Sequence, residues 1–217
     1  MDWGAFLTTN EGVPWWTPKT TPLSFVRKIS VKFDRYKRIE TNISTDQPCM
    51  VFMCAHTNDI WHAPYGDSFE IDGKWFIDLS APNARAPLLC EIYLFTRVYP
   101  QPVPDWGIAI WDEAGKCVIT SDTKPLVIEG EESTLGSESK TLKGKKAILM
   151  QRTGWYLSES DYGDAPIRMS DASFSTAFDG KNTQLLIGAV NSEPLTRIIN
   201  QSLWDLNSPY IDCSLYD

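Results

Sequence analysis

Histidine is nearly missing. The 217 residues contain two, His56 and His62. Proton transfer near neutral pH leans on this side chain, so general-base chemistry has few places to sit. No H-E-x-x-H motif, phosphate-binding P-loop or dinucleotide fingerprint occurs, and the expectation is no cofactor and no enzymatic activity. A surplus of positive charge is missing as well: 20 Lys and Arg stand against 28 Asp and Glu, a net charge of −8. Such a surface repels phosphates and argues against nucleic acid as a partner. The excess acid lies late in the chain. Residues 1–103 hold ten basic and eleven acidic side chains, residues 104–217 ten and seventeen. No apolar stretch reaches the length of a membrane span, so no membrane insertion is expected. The start, Met1-Asp2-Trp3-Gly4, lacks the basic and apolar pattern of a signal peptide. The five cysteines, Cys49, Cys54, Cys90, Cys117 and Cys213, are odd in number and irregular in spacing. Both features lead to an expectation of synthesis in a reducing cytosol with free thiols.

Strand formers fill the space that helix windows leave. The chain has nine Trp and eight Tyr, with Val and Thr throughout, and Pro and Gly recur along its whole length. It also repeats. Residues 2–23 laid over 105–126 without a gap share Asp2/Asp105, Trp3/Trp106, Gly4/Gly107, Gly12/Gly115, Thr17/Thr120, Thr20/Thr123, Pro22/Pro125 and Leu23/Leu126. Eight matches in 22 positions exceed the one or two that chance would give, at roughly 6% per position. The offset is a constant 103, which points to duplication. Each unit reads as strand, glycine-ended turn, strand, then a stop at Pro-Leu. The glycine suits a type I turn with a bulge, and the Trp is expected to fill a core.

More strands follow: Phe25–Ile39 with Ile29, Val31 and Phe33 on one face, the apolar run Cys49–Ala55, and a hairpin at Ser68–Leu79 turning on Asp72-Gly73. Leu88–Val98, Leu126–Ile128, Thr141–Gln151, Gly154–Leu157, Ser173–Phe178 and Thr183–Val190 complete the series. The proline-rich Tyr99–Pro104 reads as a linker and the acidic 129–140 as a loop. Leu195, Ile198, Ile199 and Leu203 share a helical face, so 194–206 reads as one short C-terminal helix. The expected fold is therefore all-β: two tandem β-sandwich modules of immunoglobulin or jelly-roll kind, residues 1–103 and 104–217. The second carries a C-terminal arm, 208–217, free to pair with something.

Sites of chemistry are sparse. Asp59-x-x-His62 and Gly66-Asp67-Ser68 contain pieces of a serine hydrolase. Yet no histidine follows His62, and Ser68 does not open a helix. Cys49, Cys54, His56 and His62 match no standard zinc spacing, and no metal is expected. Arg27, Lys28, Lys32, Arg35, Lys37 and Arg38 form the one basic cluster. It reads first as the solvated face of a strand, then as a patch for an acidic partner or for the acidic second module. Adjacent Trp15 and Trp16 cannot share a strand face, so one indole is a candidate contact for protein or sugar. Val118 and Ile119 replace them in the second unit.

The segment 106–126, Trp-Gly, an apolar run, Asp-Glu-Ala-Gly, Cys-Val-Ile-Thr-Ser-Asp and Pro-Leu, resembles a motif of small tail-tip accessory proteins of lambda-like, long-tailed bacteriophages. Trp3–Leu23 matches more loosely. The resemblance covers about a fifth of the chain. It implies a virion structural protein of the tail, made in the host cytoplasm. Its partners would be other tail proteins, a tail-tip hub or central fibre, with a homo-oligomer within the tail as a further option. It implies no catalytic residues. Two alternatives stand beside it: a carbohydrate-binding module using Trp15, Trp16, Trp61 or Trp75, and a hydrolase using Ser68 and His62.

Overall fold

The computed structural model describes residues 7–8, 14–16, 21–82, 84–133, 140–160, 167–189 and 196–217. All regular structure there is strand, apart from 3₁₀ turns at Ile60–His62 and Cys213–Leu215. The strands of the first half are β1 (Leu7–Thr8), β2 (Pro14–Trp16), β3 (Ser24–Phe33), β4 (Tyr36–Ser44), β5 (Cys49–His56), β6 (Tyr65–Ile71), β7 (Lys74–Ser80) and β8 (Leu88–Thr96). Those of the second are β9 (Ala109–Trp111), β10 (Cys117–Thr120), β11 (Gly130–Ser133), β12 (Lys140–Lys143), β13 (Lys146–Leu149), β14 (Arg152–Ser160), β15 (Arg168–Phe178), β16 (Asn182–Ala189), β17 (Thr196–Leu203) and β18 (Asn207–Asp212).

The run Cys49–Ala55 is apolar at both parities, and this shapes the architecture. A strand buried on two faces needs apolar residues throughout. On β5, Val51 and Met53 face one core with Ile77, Leu79 and Ile92. Phe52 and Cys54 face a second core with Tyr93, Phe95, Ala147 and Ile211. β8 divides in the same way, Cys90, Ile92 and Leu94 against Tyr93 and Phe95. Residues of β3, β4 and β7 line the same core, among them Phe33, Ile43, Ile77 and Leu79. Asp72 and Gly73 join β6 to β7 with φ of 49° and 76°, the paired positive values of a type I′ turn.

The boundary expected between residues 103 and 104 does not separate two sheets. β5 pairs with β8 on one side and with β13 of the second half on the other. One sheet of 14 strands runs through both halves. The expected C-terminal helix is strand β17, seven residues of which pair antiparallel with β14. Its Thr and Ile content suits a pleated edge, and β14 offers one. The C-terminal arm is not free: β18 lies between β11 and β13. The proline-rich segment is tied down, since Gln101 N–H donates to Cys117 O at 2.8 Å. Thr141–Gln151 divides into β12 and β13, and the acidic loop contains β11.

Gly154 sits where the backbone of β17 leaves no room for a side chain on β14. Its φ is 151°, and an added Cβ would lie 2.2 Å from Ser202 O. Gly154→Ala is expected to cost about 2 kcal/mol through backbone strain, read as a lower urea midpoint with unchanged m.

Candidate functional site

Both repeated units form hairpins outside the large sheet, and their registers agree. Leu7 pairs with Trp16 and Thr8 with Pro14. Adding 103 gives Ile110 with Ile119 and Trp111 with Cys117, the pairs observed in the second hairpin. Each hairpin skips one residue at the same place, Trp15 or Val118.

The described second hairpin explains most of the repeated residues. Gly107 has φ 127°, and a Cβ there would meet Ser121 Oγ at 2.3 Å. Gly115 has φ 74° and donates to Asp112 O at 3.0 Å, while Asp112 N–H donates to Lys116 O at 2.9 Å. This is the type I turn with a bulge that the sequence predicts. Thr120 N–H donates to Thr123 Oγ1 at 3.0 Å, and Thr123 N–H to Thr120 O at 3.1 Å, turning the chain before Pro125-Leu126.

The Pro-Leu steps meet each other. Leu126 N–H donates to Leu23 O and Phe25 N–H to Lys124 O, both at 2.8 Å, with Ser24 and Pro125 bridged antiparallel between them. Leu23 and Leu126 are equivalent positions of the repeat. An antiparallel pairing that joins a residue to its own counterpart is a local two-fold, so the duplicated units end on an internal quasi-symmetric contact.

One repeated residue contradicts the expectation. Trp106 does not fill a core; it is 88% exposed. Ile108 and Trp111 beside it are 70% and 50% exposed. Val118, opposite in role, is buried at 1%. Three large apolar side chains thus stand in the open on and just before a two-stranded sheet that is separate from the large one. A groove of about 350 Å³ is lined by Val26, Val98, Val103, Pro104, Lys124 and, from β10, Thr120.

Comparison with known protein families, curated proteins and solved structures found no match.

The other sequence candidates are dispersed. Trp15 and Trp16 lie on β2, and their side chains, like that of Trp61, fall outside the described residues. The repeated Asp2-Trp3-Gly4 also lies outside them. Trp75 is no open platform: it packs on the first core and donates from Nε1 to Gln47 O at 2.9 Å. Lys32, Arg35 and Lys37 are exposed on β3, its turn and β4. Arg38 holds Asp78 through two bonds of 2.8 Å, and Arg27 donates to Thr41 O at 3.0 Å. Each of β3 and β4 has one strand partner among the described residues, so these charges blunt open edges. His62 Nδ1 lies 2.5 Å from Asp59 Oδ2 within its 3₁₀ turn. Ser68 sits mid-strand opposite Ile77, with none of the strand-to-helix geometry of a nucleophile elbow. Among the described residues, no three His, Cys, Asp or Glu side chains are grouped to hold a metal, and no helix is long and apolar enough to cross a membrane.

Lys28 leads to a cluster that the sequence did not announce. It donates to Asp217 Oδ1 at 2.8 Å and lies 3.5 Å from Glu91 Oε1. Glu91, 8% exposed, also receives His56 at 3.0 Å and Lys145. Asp217 receives Lys145 and the Tyr93 hydroxyl, each at 2.8 Å. The two ammonium groups lie about 6 Å from the Tyr93 ring centroid, within cation–π range. Burial pushes the Asp217 carboxyl up, but Lys145, Lys28 and Tyr93 outweigh it and hold the group at about 2. Glu91 is lowered by the same balance, burial opposing Lys145 and His56. These ion pairs tie Asp217 of the last turn to Lys28 of β3 and to Lys145, which also holds Glu91 of β8. Its members come from five separate stretches, and no sequence spacing links them.

Proposed function

We propose that this chain is a non-enzymatic structural protein of a bacteriophage tail tip that docks on other tail or host-recognition proteins. The observation that carries the reading is the exposure of Trp106, with Ile108 and Trp111, on a hairpin the chain possesses twice. An exposed Trp with apolar neighbours is the composition of an interface anchor. The phage resemblance rests on the same segment, 106–126. Production in the host cytoplasm and residence in the virion belong to this proposal, as do a tail-tip hub or central fibre as partner and a homo-oligomer within the tail. The tandem modules 1–103 and 104–217 are proposed as duplicated units whose strands have come to share one sheet.

Mass spectrometry of purified phage particles tests the reading; absence of the protein from them would sink it. Trp106→Ala combined with Ile108→Ser is expected to leave stability within about 0.5 kcal/mol, because both side chains are open. The same variant is expected to be depleted from particles. A carbohydrate-binding reading draws on the same exposed indole, and a glycan array on which Trp106→Ala abolishes a specific signal would favour it instead.

A further inference from the structure

β3 and β4 follow each other in the chain but have different partners. β3 pairs with β8 and β4 with β7, so each leaves one side without a strand among the described residues. On β3 that side is used only at its start. Phe25 N–H donates to Lys124 O and Leu126 N–H to Leu23 O, both at 2.8 Å. This antiparallel run stops there, because Thr123 N–H turns back to Thr120 O instead of continuing past Val26. From Val26 to Phe33 the edge is open among the described residues.

Two features of the open stretch specify what fits it. The first is alternation. Ile29 and Val31 pack on the first core and yet are only partly buried, as is Ile39 on β4. Lys28, Ser30 and Lys32, of the other parity, are exposed. The second is charge. Residues 26–38 carry six basic side chains and one acidic, Asp34. Lys28 and Arg38 are committed to Asp217 and Asp78. Lys32, Arg35 and Lys37 are exposed, with no ion pair among the described residues. An open edge offers N–H and C=O groups at strand spacing, which another polypeptide strand matches. A phosphate backbone is all acceptor and does not. Basic side chains repel most strands from an edge, but a strand that brings carboxylates is attracted by them.

We propose that the β3 edge from Val26 to Phe33 binds an extended peptide of alternating acidic and apolar residues as an added strand. The apolar side chains lie beside Ile29 and Val31 and extend the cover of the first core. The acidic ones stand on the face of Lys28, Ser30 and Lys32, with Arg35 just past the end of the strand. The inference is independent of the tail reading, which rests on the Trp106 hairpin.

The test uses the full-length protein and fluorescein-labelled probes followed by polarisation. The probe is a peptide of Glu-Val repeats, matched in length to the open stretch. Its controls are the same repeats with Lys for Glu, a peptide holding the same residues as one Glu block and one Val block, and a single-stranded oligothymidine. The Glu-Val peptide is expected to bind, more weakly as salt is raised, and to slow hydrogen exchange within Val26–Phe33. Lys32→Glu with Arg35→Glu is expected to weaken binding by roughly tenfold or more. Its melting temperature is expected to stay unchanged, since both side chains are exposed. Should that variant fold poorly, the exchange map of the wild-type complex alone decides. No binding of the Glu-Val peptide would overturn the proposal. So would equal binding of the Lys-Val peptide, the block peptide or the oligonucleotide, protection confined to residues outside 26–33, or a well-folded double variant that binds as the wild type does.

Discussion

Glu91→Ala is expected to destabilise the protein by about 3–5 kcal/mol, the range for removing one partner from a buried ionic group. Glu91 is 8% exposed, and its carboxylate sits among Lys145, Lys28, His56 and the Tyr93 hydroxyl. Its loss leaves Lys145, whose side chain is 18% exposed, with Asp217 alone. The penalty is desolvated charge rather than lost attraction. Removing Lys145 as well, as Glu91→Ala with Lys145→Met, is therefore expected to recover part of the loss. Urea denaturation of the two single variants and the double variant gives the coupling directly; strictly additive values would refute the network. Acid should act on the same groups. Glu91 and Asp217 both have lowered values in the folded chain. Lowered carboxylates contribute stability above their unfolded values, near 4, and that contribution is lost as pH falls through the folded value. For Asp217 the window runs from about 4 down to about 2. Asp217→Asn is expected to flatten the stability profile there and leave it unchanged near neutrality in slope.

What the sequence disclosed and what it hid divide by the range of the interaction. Local signals held. Asp72-Gly73 and Asp112–Gly115 dictate their turns through backbone preference, and the apolar run Cys49–Ala55 reads as a buried strand. β17 misled because Leu195, Ile198, Ile199 and Leu203 satisfy a helical period while Thr196, Ile198 and Ile199 suit a strand equally. The free edge of β14 settles that ambiguity, and nothing within 194–206 encodes that edge. The sheet crosses the boundary between residues 103 and 104 for a related reason. The repeat is confined to the hairpins and their Pro-Leu ends, while β5 finds β13 through cross-strand packing that no repeat specifies. Trp106 misled in a third way. A Trp repeated in both units reads as core, yet Trp106 is 88% exposed. The ionic cluster was hidden because residues 28, 56, 91, 145 and 217 become neighbours only after the sheet is assembled.

Tyr216→Ala is expected to cost about 3–5 kcal/mol, as for other large aromatic truncations in a core. The ring is 4% exposed, meets Phe95 edge-on at 4.9 Å, and lies 5.3 Å from Phe25. Its hydroxyl donates to Pro125 O and accepts from Val127 N–H, both at 2.9 Å. That second role gives a finer test. Pro125-Leu126 is the point at which the duplicated units pair, so Tyr216 clasps the quasi-symmetric contact from the C-terminal end. Tyr216→Phe keeps the ring and removes both bonds, at about 1 kcal/mol. Its main effect should be local. Hydrogen exchange is expected to quicken at Leu126 and Val127, and at Phe25 across the pairing, while amides of β5 and β8 stay protected. Uniform quickening across the sheet would mean that the ring's packing and not its hydroxyl holds the repeat ends together. Unchanged exchange at 126 and 127 would mean that the Leu23–Leu126 pairing stands without the clasp, and that the second hairpin, with Trp106 at its surface, is positioned by the repeat alone.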